Sequence, residues 1–84
     1  MNDEILKTYY QIITDTWKMF KEDVQTIRPN TEYLEVVTGR YIAYEQKWKY
    51  TPYWSFAGRE CSAKLQEIER IWKEIREEHN EQNS

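Results

Sequence analysis

Residues 51–79, TPYWSFAGRECSAKLQEIERIWKEIREEH, carry the most regular apolar pattern of the 84-residue chain. The positions on the stripe alternate at spacings of four and three residues, and they are Trp54, Gly58, Cys61, Leu65, Ile68, Trp72 and Ile75. This is the spacing of one face of an amphipathic α-helix. Thr51 as a capping residue and Pro52 at the first helical position are a start signal. We therefore expect a helix over residues 52–78, with Ser55 as an alternative start.

Two segments before this helix have the same periodicity. In residues 3–27 the apolar side spans an arc of roughly 160° at 100° per residue, and it consists of Ile5, Leu6, Tyr9, Ile12, Ile13, Thr16, Trp17, Phe20, Val24 and Ile27. An arc of that width predicts a helix that touches two neighbours. The stripe in residues 31–49 consists of Tyr33, Leu34, Val37, Tyr41, Tyr44 and Trp48. Pro29 separates the two helices, because the residue before a proline disfavours helical backbone, and Asn30 or Thr31 can cap the second.

Three helices with two short connections predict an all-α fold, an up-down-up three-helix bundle with helices at about 3–27, 31–49 and 52–78. A chain of this length has room for one hydrophobic core. Its four Trp, seven Tyr and two Phe residues supply large apolar areas to fill that core. We expect a single domain over residues 1–79 and a frayed polar tail over residues 80–84.

Composition also indicates the compartment. Cys61 is the only cysteine, so an intramolecular disulfide is excluded and a reducing compartment fits best. The first residues, MNDE, lack the basic and apolar regions of a signal peptide, and no apolar run reaches the ~18–20 residues that span a bilayer. We expect a cytoplasmic protein without membrane contact. The net charge of −3 argues against a general electrostatic grip on nucleic acid, although it leaves room for a local basic patch.

Residues that carry catalytic or metal chemistry are scarce. His79 is the only histidine, and near the C-terminus of a helix its positive form would favour the helix dipole. One histidine and one cysteine cannot form a zinc site within a monomer. Cys61 lies on an apolar stripe and is expected to behave as a small buried hydrophobe. Gly39 and Gly58, the only glycines, are too few for a phosphate-binding loop. The sequence predicts no enzyme, no catalytic, cofactor-binding or metal-binding residue, and no small-molecule ligand.

Residues 40–59, RYIAYEQKWKYTPYWSFAGR, hold a dense cluster of rings, and four basic residues against one carboxylate give them a net charge of +3. Rings on which bases stack, beside cations that hold phosphates, are what single-stranded nucleic acid binding requires. We favour the alternative that the rings on the apolar stripes close the corner between the second and third helices. These rings are Tyr41, Tyr44, Trp48 and Trp54. The rings that then remain free to project outward are Tyr50, Tyr53 and Phe56.

The position of Gly58 is consistent with this predicted contact between the second and third helices. If the second and third helices run antiparallel about residue 51, Tyr44 lies opposite Gly58, and its ring can lie against the backbone. We then expect Gly58→Leu to destabilise the fold by overpacking, by about 1–3 kcal/mol.

Several apolar residues fall at the flanks or backs of the predicted stripes, namely Tyr10, Ile42, Ala43 and Phe56. Exposed apolar patches mark partner surfaces. The leading hypothesis is therefore a small non-enzymatic protein-interaction or accessory module that binds a protein partner or self-associates as a homodimer. The alternative is a single-stranded nucleic-acid-binding accessory protein that uses residues 40–59. The candidate partner-binding residues are Tyr50, Tyr53, Phe56, Lys47, Lys49, Arg59 and Ile42.

A resemblance supports the accessory role. The positions that carry it are Tyr9-Tyr10, Trp17-Lys18, Phe20-Lys21, TEYLE at 31–35, Phe56-Ala57 and LQEIER at 65–70. In their order, over roughly residues 5–75, the chain resembles short uncharacterised all-helical proteins of Gram-positive gut bacteria that are often encoded by phage or conjugative elements. The chain departs from that group at Gly39-Arg40 and Gly58-Arg59. The resemblance implies an intracellular accessory protein of a mobile element, and it assigns no site residue.

Overall fold

The computed structural model describes residues 2–83, with side chains described for residues 2–78. It contains three helices, which are α1 (Asn2–Gln25), α2 (Thr31–Lys47) and α3 (Trp54–Asn83). No strand occurs within residues 2–83. α3 packs against both α1 and α2, so the prediction of an all-α, up-down-up three-helix bundle is confirmed.

The start of α2 follows the sequence signal, whereas the start of α3 does not. Asn30 caps α2, and its side-chain oxygen accepts a hydrogen bond from the Tyr33 backbone N–H at 2.7 Å. α3 begins at Trp54 rather than at residue 52, because Thr51 completes the turn that ends α2. Both the N–H and the hydroxyl of Thr51 donate to the carbonyl of Trp48, at 3.0 and 2.6 Å.

α3 also ends later than its apolar stripe predicts. The helical backbone continues to Asn83, through residues 80–83 of the segment that was expected to be a frayed tail. The side chain of His79 lies outside the described residues, and the prediction of its structural role stays a prediction.

The core is built on the predicted stripe of α3. Among the described residues, the buried apolar ones are Ile12, Val37, Tyr41, Ala57, Cys61, Ile68 and Trp72. Half-buried residues of all three helices surround them. Burial raises the pKa of the Cys61 thiol to about 11, so the thiol is protonated at neutral pH. The predicted role of Cys61 as a small buried hydrophobe agrees with this environment.

The three helices are staggered along their common direction, and the described residues measure 59 × 20 × 15 Å. Tyr9, near the start of α1, packs against Phe56 in the first turn of α3. The starts of these two parallel helices therefore lie at one end of the bundle. At the other end the indole N–H of Trp72 donates to the carbonyl of Asn30 at 3.0 Å. Residues 73–83 therefore extend about 16 Å beyond the connection between α1 and α2, at ~1.5 Å per residue.

Long polar side chains join α1 to α2, whose backbones approach each other less closely than either approaches α3. The carboxylate of Asp23 is 1% exposed and forms an ion pair with Arg40, with 2.5 Å between Oδ1 and Nη1. The Tyr33 hydroxyl donates to the backbone carbonyl of Asp23. Nearer the other end of the two helices, the Tyr44 hydroxyl donates to Oδ2 of Asp15 at 2.8 Å.

Burial of the Asp23 carboxylate is energetically unfavourable, and the positive charge of Arg40 is the main interaction that offsets this cost. Desolvation raises the pKa of Asp23 above its ordinary value, while the charge of Arg40 acts in the opposite direction. Oδ2 of Asp23 and the hydroxyl of Tyr41 are both buried and have no hydrogen-bond partner among the described residues. A carboxylate in this position depends on its one guanidinium, because an unpaired buried charge is strongly destabilising.

We predict that Arg40→Gln lowers the free energy of unfolding by about 2 kcal/mol at pH 7, less than for a fully buried pair because Arg40 is partly exposed to solvent. Without Arg40 the folded-state pKa of Asp23 rises further above 3.8, its ordinary value. The loss should be largest above that raised pKa and should disappear as the pH falls below the folded-state pKa of Asp23 in the wild type, where the carboxyl is protonated in both folded proteins.

Urea denaturation at pH 7 and pH 4 measures this difference. Arg59→Gln, which removes an exposed arginine of α3, is the matched control and should change stability little at either pH. A loss in Arg40→Gln that is the same at both values would contradict a role for Arg40 in compensating the charge of Asp23.

Candidate interaction surfaces

A chain of aromatic rings closes the end of the bundle where α2 turns into α3. In spatial order the rings are Phe56, Tyr9, Tyr53, Trp48 and Tyr44, with successive centroid distances of 4.9, 5.2, 6.0 and 6.4 Å. Tyr9 comes from α1, so the chain of rings joins all three helices. The favoured interpretation of the stripe rings is supported, because Tyr41 is fully buried and Trp54 is half-buried as well.

The prediction that Tyr53 and Phe56 project outward is wrong. Both rings are half-buried, and each presents itself edge-on to Tyr9. The stripes of α2 and α3 gave no sign of this contact, because the ring that covers Tyr53 and Phe56 belongs to α1.

Tyr50 is exposed as predicted. Its ring is 85% exposed and lies edge-on to Trp54, with 6.0 Å between centroids. The ammonium of Lys49 lies 5.1 Å from the centre of the Tyr50 ring. Tyr50 is also the one non-glycine residue within 2–83 with a positive φ, 69°, a left-handed conformation that costs an L-residue roughly 1–2 kcal/mol.

The remaining predicted residues do not join Tyr50 in one surface. Lys47 is exposed and its ammonium lies 5.7 and 5.8 Å from the rings of Tyr44 and Trp48. Arg59 is exposed at the edge of another groove on α3. Ile42 is exposed on α2, where it lines a separate shallow groove of about 360 Å³ with Thr31, Leu34, Glu35, Thr38 and Gly39.

Gly58 faces a different residue from the one predicted. An added Cβ would lie 3.0 Å from Oε1 of Glu45, whereas the hydroxyl of Tyr44 is directed to Asp15. Because the near atom is the end of a flexible side chain, substitution here displaces a carboxylate rather than a packed ring. The expectation of overpacking against Tyr44 is therefore wrong. Gly58 and Glu45 line an open groove of about 490 Å³ with Trp54, Ser55, Arg59, Ser62, Ala63 and Gln66.

We predict that Tyr50→Gly is more stable than Tyr50→Ala by about 1 kcal/mol in free energy of unfolding. Both variants lose the ring and its contact with Trp54, but only glycine adopts the positive φ without steric cost. Thermal or urea denaturation of the two proteins measures the difference. Equal stability would show that the left-handed backbone at residue 50 is not a constraint on the folded chain.

A row of exposed apolar residues lies along α1, and sequence reasoning missed most of it. It consists of Leu6, Tyr10, Ile13 and Trp17, whose side chains are 44–69% exposed. We call these four residues the α1 face. Tyr10 was recognised as a residue left outside the core, but the other three were assigned to the packed arc of a helix with two neighbours.

The α1 face is exposed because the two neighbours of α1 both lie on one side of the arc. α3 covers the side that carries Tyr9 and Ile12, and α2 reaches α1 through polar side chains at Asp15 and Asp23. The opposite edge of the arc is left without a neighbour. α1 therefore touches two neighbours, as its wide arc predicted, but these neighbours leave one edge of the arc uncovered.

The α1 face has the spacing of a helix-pairing seam. Its residues follow one another at four, three and four positions, and the same alternation continues to Phe20 and Val24, which are half-buried. An alternation of four and three is the heptad pattern of helices that pack side by side. Trp17 stacks on Phe20, with ring centroids 5.9 Å apart and 29° between planes, so its exposed ring rests on a residue that is packed against the core.

Charged residues border the α1 face on both sides. At 100° per residue, the side away from α3 carries Lys7, Lys18 and Lys21, with Asp3 at its end. The other border belongs to the side of α3 that carries Phe56, and it holds two ion pairs. These are Glu60 with Lys64, at 3.7 Å, and Glu67 with Arg70, at 3.2 Å.

Neither a metal-binding group nor a membrane-spanning helix occurs among the described residues. No group of three or more His, Cys, Asp or Glu side chains that could hold a metal ion is found among them, and none of their helices combines the length and apolarity needed to cross a bilayer. Comparison of the chain with protein-family models, with curated proteins and with solved structures found no match.

Proposed function

We propose that the protein is a small non-enzymatic protein-interaction module and that the α1 face is its binding surface. The observation that carries this proposal is the alignment of four large exposed apolar side chains along one helix. Single exposed apolar residues are normal on a protein surface, whereas a contiguous apolar patch bordered by charge usually marks a partner surface.

The composition of the α1 face supports the proposal further. Trp and Tyr are among the residues that contribute most to binding energy at interfaces, and Tyr10 and Trp17 supply one of each. Trp17 is held by its stacking on Phe20, so little side-chain freedom is lost when a partner covers it.

The exposed apolar residues of α2 do not form an equivalent surface. Val36 and Ile42 are exposed to an extent similar to the residues of the α1 face. They are six positions apart, which separates them by about 120° around the helix, so one flat partner cannot cover both. They serve instead as matched controls for the α1 face.

The corner between α2 and α3 is the basis of a second candidate function, the binding of single-stranded nucleic acid. Tyr50 is highly exposed, it lies beside Lys49, and its backbone is held in a strained conformation. Strained residues cluster at functional sites. Stacking along a strand requires successive free rings, and the contacts of Tyr53 and Phe56 with Tyr9 leave Tyr50 as the one predicted ring that is mostly exposed. We therefore favour the α1 face.

The proposal of a non-enzymatic role rests on the state of the groups that could react. The Cys61 thiol is buried and protonated, and the Asp23 carboxylate is engaged with Arg40. We further propose a cytoplasmic accessory role on a mobile element. That part rests on the resemblance of residues 5–75 to the short helical proteins described above and on the cysteine usage.

The two surfaces can be separated by a photo-crosslinking residue in cells of the organism that encodes the chain. We predict that p-benzoylphenylalanine in place of Tyr10 gives a covalent protein adduct on irradiation and that the same residue in place of Tyr50 does not. Both positions replace an exposed tyrosine, so the chemical change is matched.

The mass of the adduct identifies the partner by mass spectrometry. An adduct from position 50 and none from position 10 would move the binding surface to the corner between α2 and α3. The absence of adducts from both positions, with the protein present and folded, would contradict the proposed function.

A further inference from the structure

We propose that the partner of the α1 face is a second copy of the chain and that the two α1 helices pack side by side in parallel about a two-fold axis. This inference rests on the proposed function, because it uses the same surface and adds the identity and orientation of the partner. Area, spacing and charge each support it.

The area of the α1 face is sufficient for a weak dimer. A fully exposed aromatic side chain presents on the order of 200 Å² and an aliphatic one somewhat less. At 44–69% exposure, the four side chains therefore offer roughly 500 Å² per copy. Two copies would bury at most about 1,000 Å² through these side chains, which is the lower bound of specific interfaces. Because area alone does not give high affinity, we expect a dissociation constant on the order of tens of micromolar.

The spacing of the α1 face makes it complementary to itself. Two helices with a heptad stripe pack in parallel when each stripe residue lies at the level of its own equivalent. Leu6, Ile13 and Trp17 would each meet the same residue of the second copy. An interface in which one patch supplies both sides is the ordinary form of a symmetric dimer, and it requires no segment beyond α1.

The charged borders select the parallel orientation. In a parallel dimer the two-fold axis runs along the α1 helices. Rotation about this axis places the lysine border of each copy opposite the α3 border of the other copy. The lysine border, with Lys18 and Lys21, then meets the border of α3, where Glu60 and Glu67 are paired with Lys64 and Arg70 and the net charge is zero. In the antiparallel arrangement the lysine borders of the two copies would face each other. Like charges across an interface are unfavourable, so the parallel arrangement is favoured.

An anionic membrane is the other surface that an apolar face bordered by lysines could bind. The second border contributes no attraction to such a membrane, because its Glu60 and Glu67 are paired with Lys64 and Arg70 and its net charge is zero. Binding to vesicles is therefore a distinct outcome of the test below.

The first part of the test is the oligomeric state. We expect light scattering and sedimentation to show a monomer at low micromolar concentration and a dimer at several hundred micromolar. The double variant Ile13→Glu/Trp17→Glu should stay monomeric over this range, whereas the matched variant Val36→Glu/Ile42→Glu should still form dimers. Circular dichroism of both variants checks that the helices are retained.

The second part tests the orientation with introduced cysteines. Leu6→Cys and Ile13→Cys should each form a disulfide to the same residue of the second copy under mild oxidation, because in a parallel pair every level of the stripe meets itself. In an antiparallel pair at most one level can do so. The wild type, whose Cys61 is buried, and Val36→Cys, exposed on α2, are the controls and should remain uncrosslinked.

The outcomes separate this inference from the proposed function. A wild type that is monomeric at all concentrations overturns the homodimer, and an adduct of position 10 with a different protein would then leave the interaction module standing. A dimer that survives Ile13→Glu/Trp17→Glu overturns the homodimer through this face. Crosslinking at one introduced cysteine alone overturns the parallel orientation. Sedimentation of the monomer with anionic phospholipid vesicles, abolished by the same double variant, would assign the face to a membrane.

Discussion

The ion pair between Asp23 and Arg40 is the constraint on which the arrangement of the helices depends. A carboxylate that is 1% exposed is placed where desolvation raises its pKa, and its charge is compensated by one guanidinium from the neighbouring helix. Because an uncompensated charge at this depth is costly, α1 and α2 are held in the relative position that keeps the pair together. The hydroxyls of Tyr33 and Tyr44 extend the same polar connection along the two helices.

This polar connection determines which part of α1 is left without a neighbour. α3 supplies the apolar contacts of α1, and α2 approaches it through long side chains at Asp15 and Asp23. The apolar arc of α1 is therefore wider than the surface of α1 that α2 and α3 cover. The surplus apolar residues are the α1 face. The feature that supports the proposed function is thus a consequence of how the core is assembled.

The sequence was sufficient to predict the fold class, the three helices, the buried stripe of α3 and a cap on α2 at Asn30 or Thr31, since each of these depends on residues that are close together in the chain. It was less informative about the start of α3, because Thr51 and Pro52 make a good helix start in isolation, but the N–H and hydroxyl of Thr51 donate to the turn that ends α2. Contacts between segments that are distant in the chain could not be predicted from the sequence. The ring that covers Tyr53 and Phe56 is Tyr9, which is 44 residues from Tyr53 and 47 residues from Phe56 in the sequence.

The candidate site was only partly predictable for the same reason. Periodicity shows that the apolar arc of α1 is wide, but it does not show which edge of the arc a neighbour covers. The exposure of Tyr50 could be predicted because it lies off both stripes. The exposure of Ile13 and Trp17 could not, because a residue on a stripe is expected to be buried. The one available signal was the surplus of apolar residues on α1 relative to the two helices that pack on it.

The central claim is that one edge of the apolar arc of α1 faces solvent while the other edge is packed in the core. Hydroxyl-radical footprinting read by mass spectrometry tests it most directly, by comparing the oxidation rates of Trp17 and Trp72 in dilute protein. We predict rapid oxidation of Trp17 and protection of Trp72, which is buried against α3's neighbours. Equal protection of the two tryptophans in the dilute monomer would contradict the account.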